Sequence, residues 1–221
     1  MSDRLRSSGY VPDPAAETAM LIDAFFRASS ERFPEEFGLE ERLRDRHERL
    51  VTQQQDRVVD EPSRHNLAMT LAVLAAYQEL IAQHEEGELL PALHSAFVQP
   101  LEPFVRTATR TMLDQATDPF ATMVALTRDR EQQSFGAGFA FTHPEDDPEQ
   151  FTSQVERCFY HDVLRANDAE KLTPVFCAFD ANWIDAIDPD RDGFEFERPT
   201  TIGTGGSCCP FRFRRTPGTP T

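Results

Sequence analysis

The sequence lacks any apolar run long enough to indicate a membrane segment. Its most apolar stretch, Leu67 to Tyr77, ends at Gln78, whereas a helix that spans a bilayer needs roughly 20 residues. The N-terminal charges between Met1 and Arg6 are not followed by the apolar segment of a secretory signal. These absences predict a soluble cytoplasmic protein with no membrane partner.

Positive charge is also scarce. Lys and Arg number 22 against 38 Asp and Glu, which gives a formal net charge of -16 and a pI near 4.7. Such a field repels phosphate backbones and anionic lipid surfaces, so nucleic acid is not expected as a partner. A small-molecule substrate and a homo-oligomer are both compatible with the sequence, and 221 residues allow one domain or two.

The signatures of several large enzyme classes are missing. The chain has no Gly-x-Ser-x-Gly elbow and no dinucleotide fingerprint, and Gly203 to Gly206 is not followed by the Lys-Ser/Thr of a phosphate loop. Asp188, Asp190 and Asp192 alternate as in the first half of a calcium loop, but Pro199 stands where a bidentate Glu is required. An acidic turn is predicted there instead.

Helices are predicted over residues 1–130, because apolar residues recur there at spacings of three and four. Ser63 is expected to cap a helix whose apolar stripes cover most of its circumference. Such a helix is typical of the middle of a bundle. Two further helices are predicted over residues 102–115 and 120–128, separated by Asp118 and Pro119.

Beyond Arg130 the apolar period changes from helical to alternating, which predicts strands over residues 135–141, 151–158, 194–197 and 211–214. The last two are expected to pair, with phenylalanines on the buried face and Glu opposite Arg on the exposed face. The glycine-rich residues 203–206 would join them. Between the strands, Asp168 is expected to cap a helix from Ala169 to about Ile187.

This order of elements predicts an α+β fold, in which an N-terminal helical bundle packs with a small, mainly antiparallel sheet and one or two C-terminal helices. Residues 1–130 would form the helical region and residues 131–216 the α+β region. The two regions could equally form one integrated domain.

Only four cysteines are present, and all lie in the last third of the chain: Cys158, Cys177, Cys208 and Cys209. They are too few for a disulfide scaffold. Cys177 and Asp180 are three residues apart in a predicted helix, which places thiol and carboxylate about 5–6 Å apart on one face. The alternative is that Cys177 is a small core residue and Asp180 a solvated or capping one.

A carboxylate next to Cys177 would raise the pKa of the thiol, so an activated thiol needs a nearby cation or N–H donors. Arg157, Arg198 and the amides of residues 203–207 are candidates. His161 lies beside Cys158 and could act as a general base or be structural. Cys158, Cys177 and Cys209 could instead bind zinc or an iron–sulfur cluster, although no Cys-x-x-Cys occurs.

Four ordered blocks between about residues 139 and 215 resemble the L-2-aminothiazoline-4-carboxylate hydrolase family. They are Arg157-Cys158-Phe159-Tyr160, Phe176-Cys177-Ala178-Phe179-Asp180, Phe196-Glu197-Arg198-Pro199-Thr200-Thr201-Ile202-Gly203 and Cys209-Pro210-Phe211-Arg212-Phe213. The family typically closes with Cys-Asp-Phe, whereas Pro210 stands here in place of that Asp. This departure leaves open both a changed substrate and an inactive relative.

The resemblance implies a C–N hydrolase that opens a small cyclic amidine-like or imide-like ring bearing a carboxylate, with no cofactor required. On this reading Cys177 is nucleophile or ligand and Asp180 a proton shuttle. Arg198 clamps the carboxylate, and the amides of residues 203–207 stabilise negative charge. Cys158 and Cys209 join the catalytic set by resemblance, and the remaining expected substrate contacts are Arg157, His161, Thr201 and Gly203. The alternative is a metal- or small-molecule-binding module built on the three thiols.

Overall fold

The computed structural model describes residues 14–217 and has the predicted α+β fold. The N-terminal helices are α1 (Pro14–Arg32), α2 (Leu39–Gln53), α3 (Glu61–Leu80), α4 (Glu86–Val98), α5 (Glu102–Gln115) and α6 (Pro119–Arg130). The strands are β1 (Ala140–Thr142), β2 (Gln150–Arg157), β3 (Phe194–Glu197) and β4 (Cys209–Arg215). Between β2 and β3 lie the short helices α7 (Phe159–Arg165), α8 (Thr173–Phe179), α9 (Ala181–Ile184) and α10 (Pro189–Asp192).

The start of α3 is fixed by a reciprocal pair of hydrogen bonds. Asp60 accepts a hydrogen bond from the Ser63 amide at 2.8 Å, and the Ser63 hydroxyl accepts one from the Asp60 amide at 2.9 Å. Asp60 is therefore the N-cap and Ser63 the third helical residue: Ser63 accepts a backbone amide hydrogen, as predicted, but the helix begins two residues before it. The Asp60 carboxylate also accepts the Ala137 amide at 2.6 Å, which ties this helix to the segment after α6.

The first core surrounds α3, as its apolar circumference predicted. Leu71 and Leu74 have no exposed surface, and they pack in one cluster with Phe25 of α1 and Phe97 of α4. Phe176 of α8 belongs to the same cluster. The core of the bundle thus includes residues from both sides of position 130.

The sheet has the strand order β1-β2-β4-β3, and all neighbouring strands are antiparallel. The predicted pairing of β3 with β4 is confirmed: Phe196 lies opposite Phe213, and Glu195 lies opposite Arg214. The Arg214 and Glu195 side chains approach to 3.7 Å on the exposed face.

The phenylalanine face of the sheet forms the second core. Phe213 is central, since its ring contacts those of Phe151, Trp183, Phe194 and Phe196 at centroid distances of 5.0–6.3 Å. Leu113 of α5 and both Phe120 and Met123 of α6 complete this cluster. The inner face of the sheet is therefore covered by α5 and α6 of the N-terminal helical region, together with Trp183 of α9.

The strand predicted over residues 135–141 is wrong for most of its length. Glu131–Phe135 forms a π-helical turn and Gly136–Gly138 a 3₁₀ turn, so that extended structure begins only at β1. Gly136 has φ 64°, a left-handed conformation that interrupts any strand.

The long helix predicted after Asp168 is also wrong. Asp168 has φ 54° and does not cap a helix. The chain instead forms a 3₁₀ turn at Glu170–Leu172, and Pro174 then lies in the first turn of α8, where a missing amide hydrogen has no cost. Asp180 keeps helical dihedrals between α8 and α9, so the relation between residues 177 and 180 is retained.

The acidic turn predicted near Asp188 is present as α10, and it is closed by an ion pair. The Asp192 carboxylate accepts hydrogen bonds from the Arg110 guanidinium and from the Asp188 amide at 2.8 Å. Burial opposes ionisation of Asp192, but these donors outweigh it and lower its pKa. The ionised form of Asp192 is therefore more stable in the folded protein than in the unfolded chain.

We expect Asp192→Asn to lower the free energy of unfolding by about 2–3 kcal/mol at pH 7, below the range for fully buried pairs because Arg110 stays partly exposed. A carboxyl with a depressed pKa stabilises above its unfolded pKa and loses that effect as pH falls through the folded pKa. The loss should therefore shrink in urea titrations near pH 3. Asp114→Asn, which alters the more exposed partner of Arg110, is the control and should cost under about 1 kcal/mol. An equal loss at both pH values would contradict this account.

Candidate functional site

Three of the four cysteines converge where the sheet meets the bundle. Cys158 lies between β2 and α7, Cys177 is on α8, and Cys209 begins β4 opposite Val155. Each of these thiols interacts electrostatically with the other two. Cys208 is not part of this group, which we call the thiol cluster.

The turn between β3 and β4 holds the thiol cluster together. The Ile202 amide donates a hydrogen bond to Cys209 Sγ at 3.1 Å. The next residue, Gly203, packs so closely on α8 that an added Cβ would lie 2.9 Å from Cys177 Sγ and 3.0 Å from Thr173 Cγ2. A glycine is therefore required at position 203 by close approach.

Burial controls the ionisation of two of these thiols. It raises the pKa of Cys158 to about 12, although the amides of His161 and Tyr160 act in the opposite direction. It raises the pKa of Cys209 to about 11, against the opposing effects of the Ile202 amide and Arg198. Both are neutral thiols near pH 7.

An aspartate–arginine pair borders the thiol cluster. Arg198, at the end of β3, donates from Nη1 to Asp180 Oδ2 and from Nη2 to the Cys177 carbonyl at 2.9 Å. The Trp183 indole donates to Asp180 Oδ1 at 3.0 Å. Arg198 thereby fixes Asp180 relative to the backbone of Cys177.

Burial raises the pKa of Asp180, and the nearby cations Arg198 and Arg130 together with the Trp183 hydrogen bond counteract it. Asp180 also interacts with Cys209 and Tyr160. A carboxyl group in this setting exchanges protons at a higher pH than an exposed aspartate, which is what acid–base chemistry beside a thiol requires.

Two of the predicted substrate contacts lie apart from the Asp180–Arg198 pair. Arg157 donates to Asp162 at 2.6 Å, and its side chain is 59% exposed. His161 shares a hydrogen bond with the Thr173 hydroxyl at 3.1 Å. Within residues 14–217, neither of these side chains forms a hydrogen bond with Asp180 or Arg198.

The predicted anion-binding amides are largely occupied. Thr201 caps the 3₁₀ turn Ile202–Thr204 and accepts the Thr204 amide. The amides of Gly205 and Gly206 donate to backbone carbonyls of the same turn at 3.2 and 2.9 Å. The prediction that these three amides stabilise a substrate anion therefore does not fit this conformation, because their hydrogens are already bonded.

Pro210 lies opposite Gln154 of β2 and precedes Arg212, the first residue of β4 that pairs with β3. A missing amide hydrogen is tolerated at such a strand start. The carboxyl group beside the thiol cluster is that of Asp180.

Sequence reasoning missed two residues of this region. The Tyr160 hydroxyl donates to Asn66 Oδ1 of α3 at 2.9 Å, and burial raises its pKa, with Cys158 and Asp180 adding to the shift. Arg130 reaches the electrostatic environment of Asp180 from the end of α6. No local pattern identifies Arg130, because only the tertiary fold brings α6 to this end of the sheet.

Across residues 14–217, no group of three or more His, Cys, Asp or Glu side chains is arranged to hold a metal ion. This arrangement does not favour the thiol cluster as a metal site. Within the same residues, no helix combines the length and apolar character needed to cross a bilayer.

The fold and site together define an α+β protein with a thiol cluster and an aspartate–arginine pair between a helical bundle and an antiparallel sheet. The family model of L-2-amino-thiazoline-4-carboxylic acid hydrolase matches residues 65–213, and the chain belongs to this family. The match begins in α3, so it includes much of the helical bundle as well as the region from residue 139 that resembled the family.

No curated protein matches the sequence. Among solved structures, the Fe(II) unliganded H-NOX protein from K. algicida is similar to this chain with 10% sequence identity and a TM-score of 0.33, covering 90% of this chain and 98% of that one. A likeness at this level supports no argument about fold or function.

The contact between Gly203 and Cys177 gives a testable prediction. Gly203→Ala should lower stability by about 1–3 kcal/mol, since the new methyl group overpacks the turn against Cys177 Sγ. In a Cys177→Ala background the same change should cost less, and thermal denaturation of the four variants of a double-mutant cycle measures that coupling. Gly87→Ala, where an added Cβ meets nothing within 4 Å, is the control. Additive effects of the two changes would contradict the contact.

Proposed function

We propose that the protein is a hydrolase that opens a small cyclic amidine-like ring bearing a carboxylate, with a thiazoline ring as the first candidate. Family membership supports this reaction class. The observation that carries the proposal is the convergence of Cys158, Cys177, Cys209 and Asp180, which are distant in sequence, at one end of the sheet.

Cys177 is the nucleophile in this proposal. Asp180 takes the thiol proton as the Cys177 sulfur bonds to the ring carbon that lies between sulfur and nitrogen. The adduct collapses by breaking the ring C–N bond, and Asp180 returns the proton to the departing nitrogen. The carbon remains attached to both Cys177 and the former ring sulfur, and keeps the exocyclic nitrogen, as an imino dithiocarbonate intermediate.

Water completes the cycle. It attacks the carbon held by Cys177, Asp180 accepts its proton, and the bond between carbon and Cys177 breaks. The thiol recovers its proton from Asp180, and the product carries a new carbonyl and a free amine. One water is consumed for each ring opened, and neither an oxidant nor a reductant is needed.

The neighbouring residues position this pair. Arg198 holds both the Asp180 carboxylate and the Cys177 carbonyl, so it stabilises the alignment of base and nucleophile. Cys209, a neutral thiol fixed by the Ile202 amide, can donate a hydrogen bond to the adduct. Cys158 lies on the other side of the cluster, beside Tyr160.

The test is turnover of L-2-aminothiazoline-4-carboxylate by the purified full chain, followed by mass spectrometry of the product. The expected result is a ring-opened product heavier than the substrate by one water, with ¹⁸O incorporated from labelled water. A cyclic imide carboxylate of similar size tests the breadth of the ring class. Absence of turnover on either ring with folded protein would contradict the proposal.

A further inference from the structure

Arg198 is poorly suited to bind a substrate carboxylate. Its Nη1 and Nη2 are occupied by Asp180 and by the Cys177 carbonyl, and its guanidinium carbon lies 5.2 Å from the centre of the Phe211 ring. The side chain is only 16% exposed. A carboxylate that bound Arg198 would have to displace Asp180, and the two charges of this pair already cancel.

Arg130 is different in each respect. It is the last residue of α6, it is exposed, and within residues 14–217 its side chain forms no hydrogen bond and no ion pair. Desolvation by the surrounding protein lowers the pKa of Arg130, although Asp180 and Glu17 interact with its charge electrostatically and raise its pKa. A guanidinium nevertheless keeps its charge at any physiological pH.

The side chain of the residue after Arg130 is anchored to the sheet. Glu131 accepts a hydrogen bond from the Ser153 hydroxyl at 2.5 Å and interacts with His143 Nε2 at 3.0 Å. Ser153 of β2 lies opposite Phe211 of β4, the ring on which Arg198 packs. Arg130 is therefore next in sequence to a residue that is bonded to β2. Strand β2 pairs with β4, and Phe211 of β4 packs against Arg198 of the Asp180–Arg198 pair.

The other end of this segment is anchored to the bundle. The Asn66 side chain donates to the Ser134 carbonyl at 2.9 Å and accepts from the Tyr160 hydroxyl at 2.9 Å. The residues between the two anchors form the π-helical turn Glu131–Phe135, a rare conformation that is frequent at functional sites. The turn fixes where α6 ends and hence where the Arg130 side chain begins.

We propose that Arg130, rather than Arg198, binds the carboxylate of the substrate and so determines specificity for anionic rings. The inference rests on the proposed function. With Asp180 and Arg198 neutralising one another, Arg130 supplies the local positive charge that an anionic ligand needs in a chain of net charge -16. Its planar guanidinium can bind a carboxylate through two parallel hydrogen bonds.

The experiment compares two substrates that differ only in the carboxylate: L-2-aminothiazoline-4-carboxylate and 2-amino-2-thiazoline. Arg130→Gln should lower kcat/KM for the carboxylate substrate by about 10- to 150-fold, mainly through KM. Turnover of the ring without the carboxylate should fall much less, so the ratio of the two kcat/KM values should drop; the effect of Arg130 on the pKa of Asp180 acts on both substrates alike and cancels in this ratio. Arg130→Lys should restore part of the loss, because it keeps the charge but not the bidentate geometry.

Arg128→Gln is the matched control. It removes the same charge from the same helix, but Arg128 binds Asp146 at 2.5 Å and lies over the Phe151 ring. Its kcat/KM for the two substrates should keep the wild-type ratio.

The outcomes are distinguishable. If the wild type opens neither ring, the proposed function fails and this inference falls with it. If the wild type is active but Arg130→Gln keeps its preference for the carboxylate substrate, or loses both activities equally, the inference alone is overturned. A selective loss of activity on the carboxylate substrate in Arg198→Gln, but not in Arg130→Gln, would also overturn it.

Discussion

Replacing Cys177 by alanine is expected to lower kcat for ring opening on the order of 10³-fold or more while leaving the protein folded. The reason is that the proposed reaction proceeds through a bond to this sulfur, for which no other group substitutes at the same position. Turnover of L-2-aminothiazoline-4-carboxylate, measured at saturating substrate, tests it. Trapping the intermediate on Cys177 of the wild type by rapid quench and peptide mass spectrometry is the complementary measurement.

The cysteines of the chain offer their own control. Cys208→Ala alters a thiol outside the thiol cluster, next to Cys209 in sequence, and should change kcat by less than about twofold. Cys209→Ala should reduce activity through loss of the buried thiol and its contact with the Ile202 amide. If Cys177→Ala and Cys209→Ala both keep full activity, the thiol-centred mechanism is wrong.

Phe213→Ala is expected to have the largest effect on stability, about 3–5 kcal/mol. Phe213 is 2% exposed, and its ring contacts phenylalanines of β2 and β3 and the Trp183 indole. Its truncation removes apolar burial and leaves a cavity between the sheet and the helices. For a chain of this size, the midpoint of thermal unfolding should fall by roughly 6–20 °C.

Two variants control for size and exposure. Phe213→Leu keeps most of the volume and should cost less than half as much. Phe37→Ala removes a ring that is 89% exposed and should change stability by less than about 0.5 kcal/mol. A loss at Phe213 no larger than that at Phe37 would show that the second core contributes little.

Phe213 also supports the strands that carry residues of the candidate site. Phe213 lies two residues beyond Phe211, which packs against Arg198 and faces Ser153 across the strand pair. The second core therefore supports the strands that carry Cys209 and Arg198. Partial loss of activity in Phe213→Ala below its unfolding temperature would be consistent with this support.

Local sequence patterns were sufficient to predict the elements whose conformation depends on residues close together in sequence. The helical period predicted helices across residues 1–130, although it did not single out α4, and the alternation of phenylalanine with Glu or Arg predicted β3, β4 and their pairing. These patterns succeed because side chains recur on one face with the period of the element that buries them. The relation between Cys177 and Asp180 belongs to the same class, since helical dihedrals continue through Asp180.

The patterns failed where a backbone conformation or a distant partner decided the outcome. Gly136 has positive φ inside the predicted strand, and Asp168 has positive φ where the cap of a helix was expected. The N-cap of α3 is Asp60 rather than Ser63, and the Asp60 carboxylate also accepts a hydrogen bond from the Ala137 amide. Period and propensity do not encode such choices, because they depend on the backbone conformation of single residues and, at Asp60, on a hydrogen bond from the distant Ala137 amide.

Residue patterns along the chain were enough to predict the α+β class, the helical bundle, the pairing of β3 with β4 and the family resemblance of residues 139–215. The convergence of three thiols, the ion pair of Arg198 with Asp180 and the approach of Arg130 to the same region follow from the packing of distant segments. The physical reason is that burial and Coulomb interactions depend on distances in space, which here are set by how α6, α8 and the turn at Gly203 pack on the sheet.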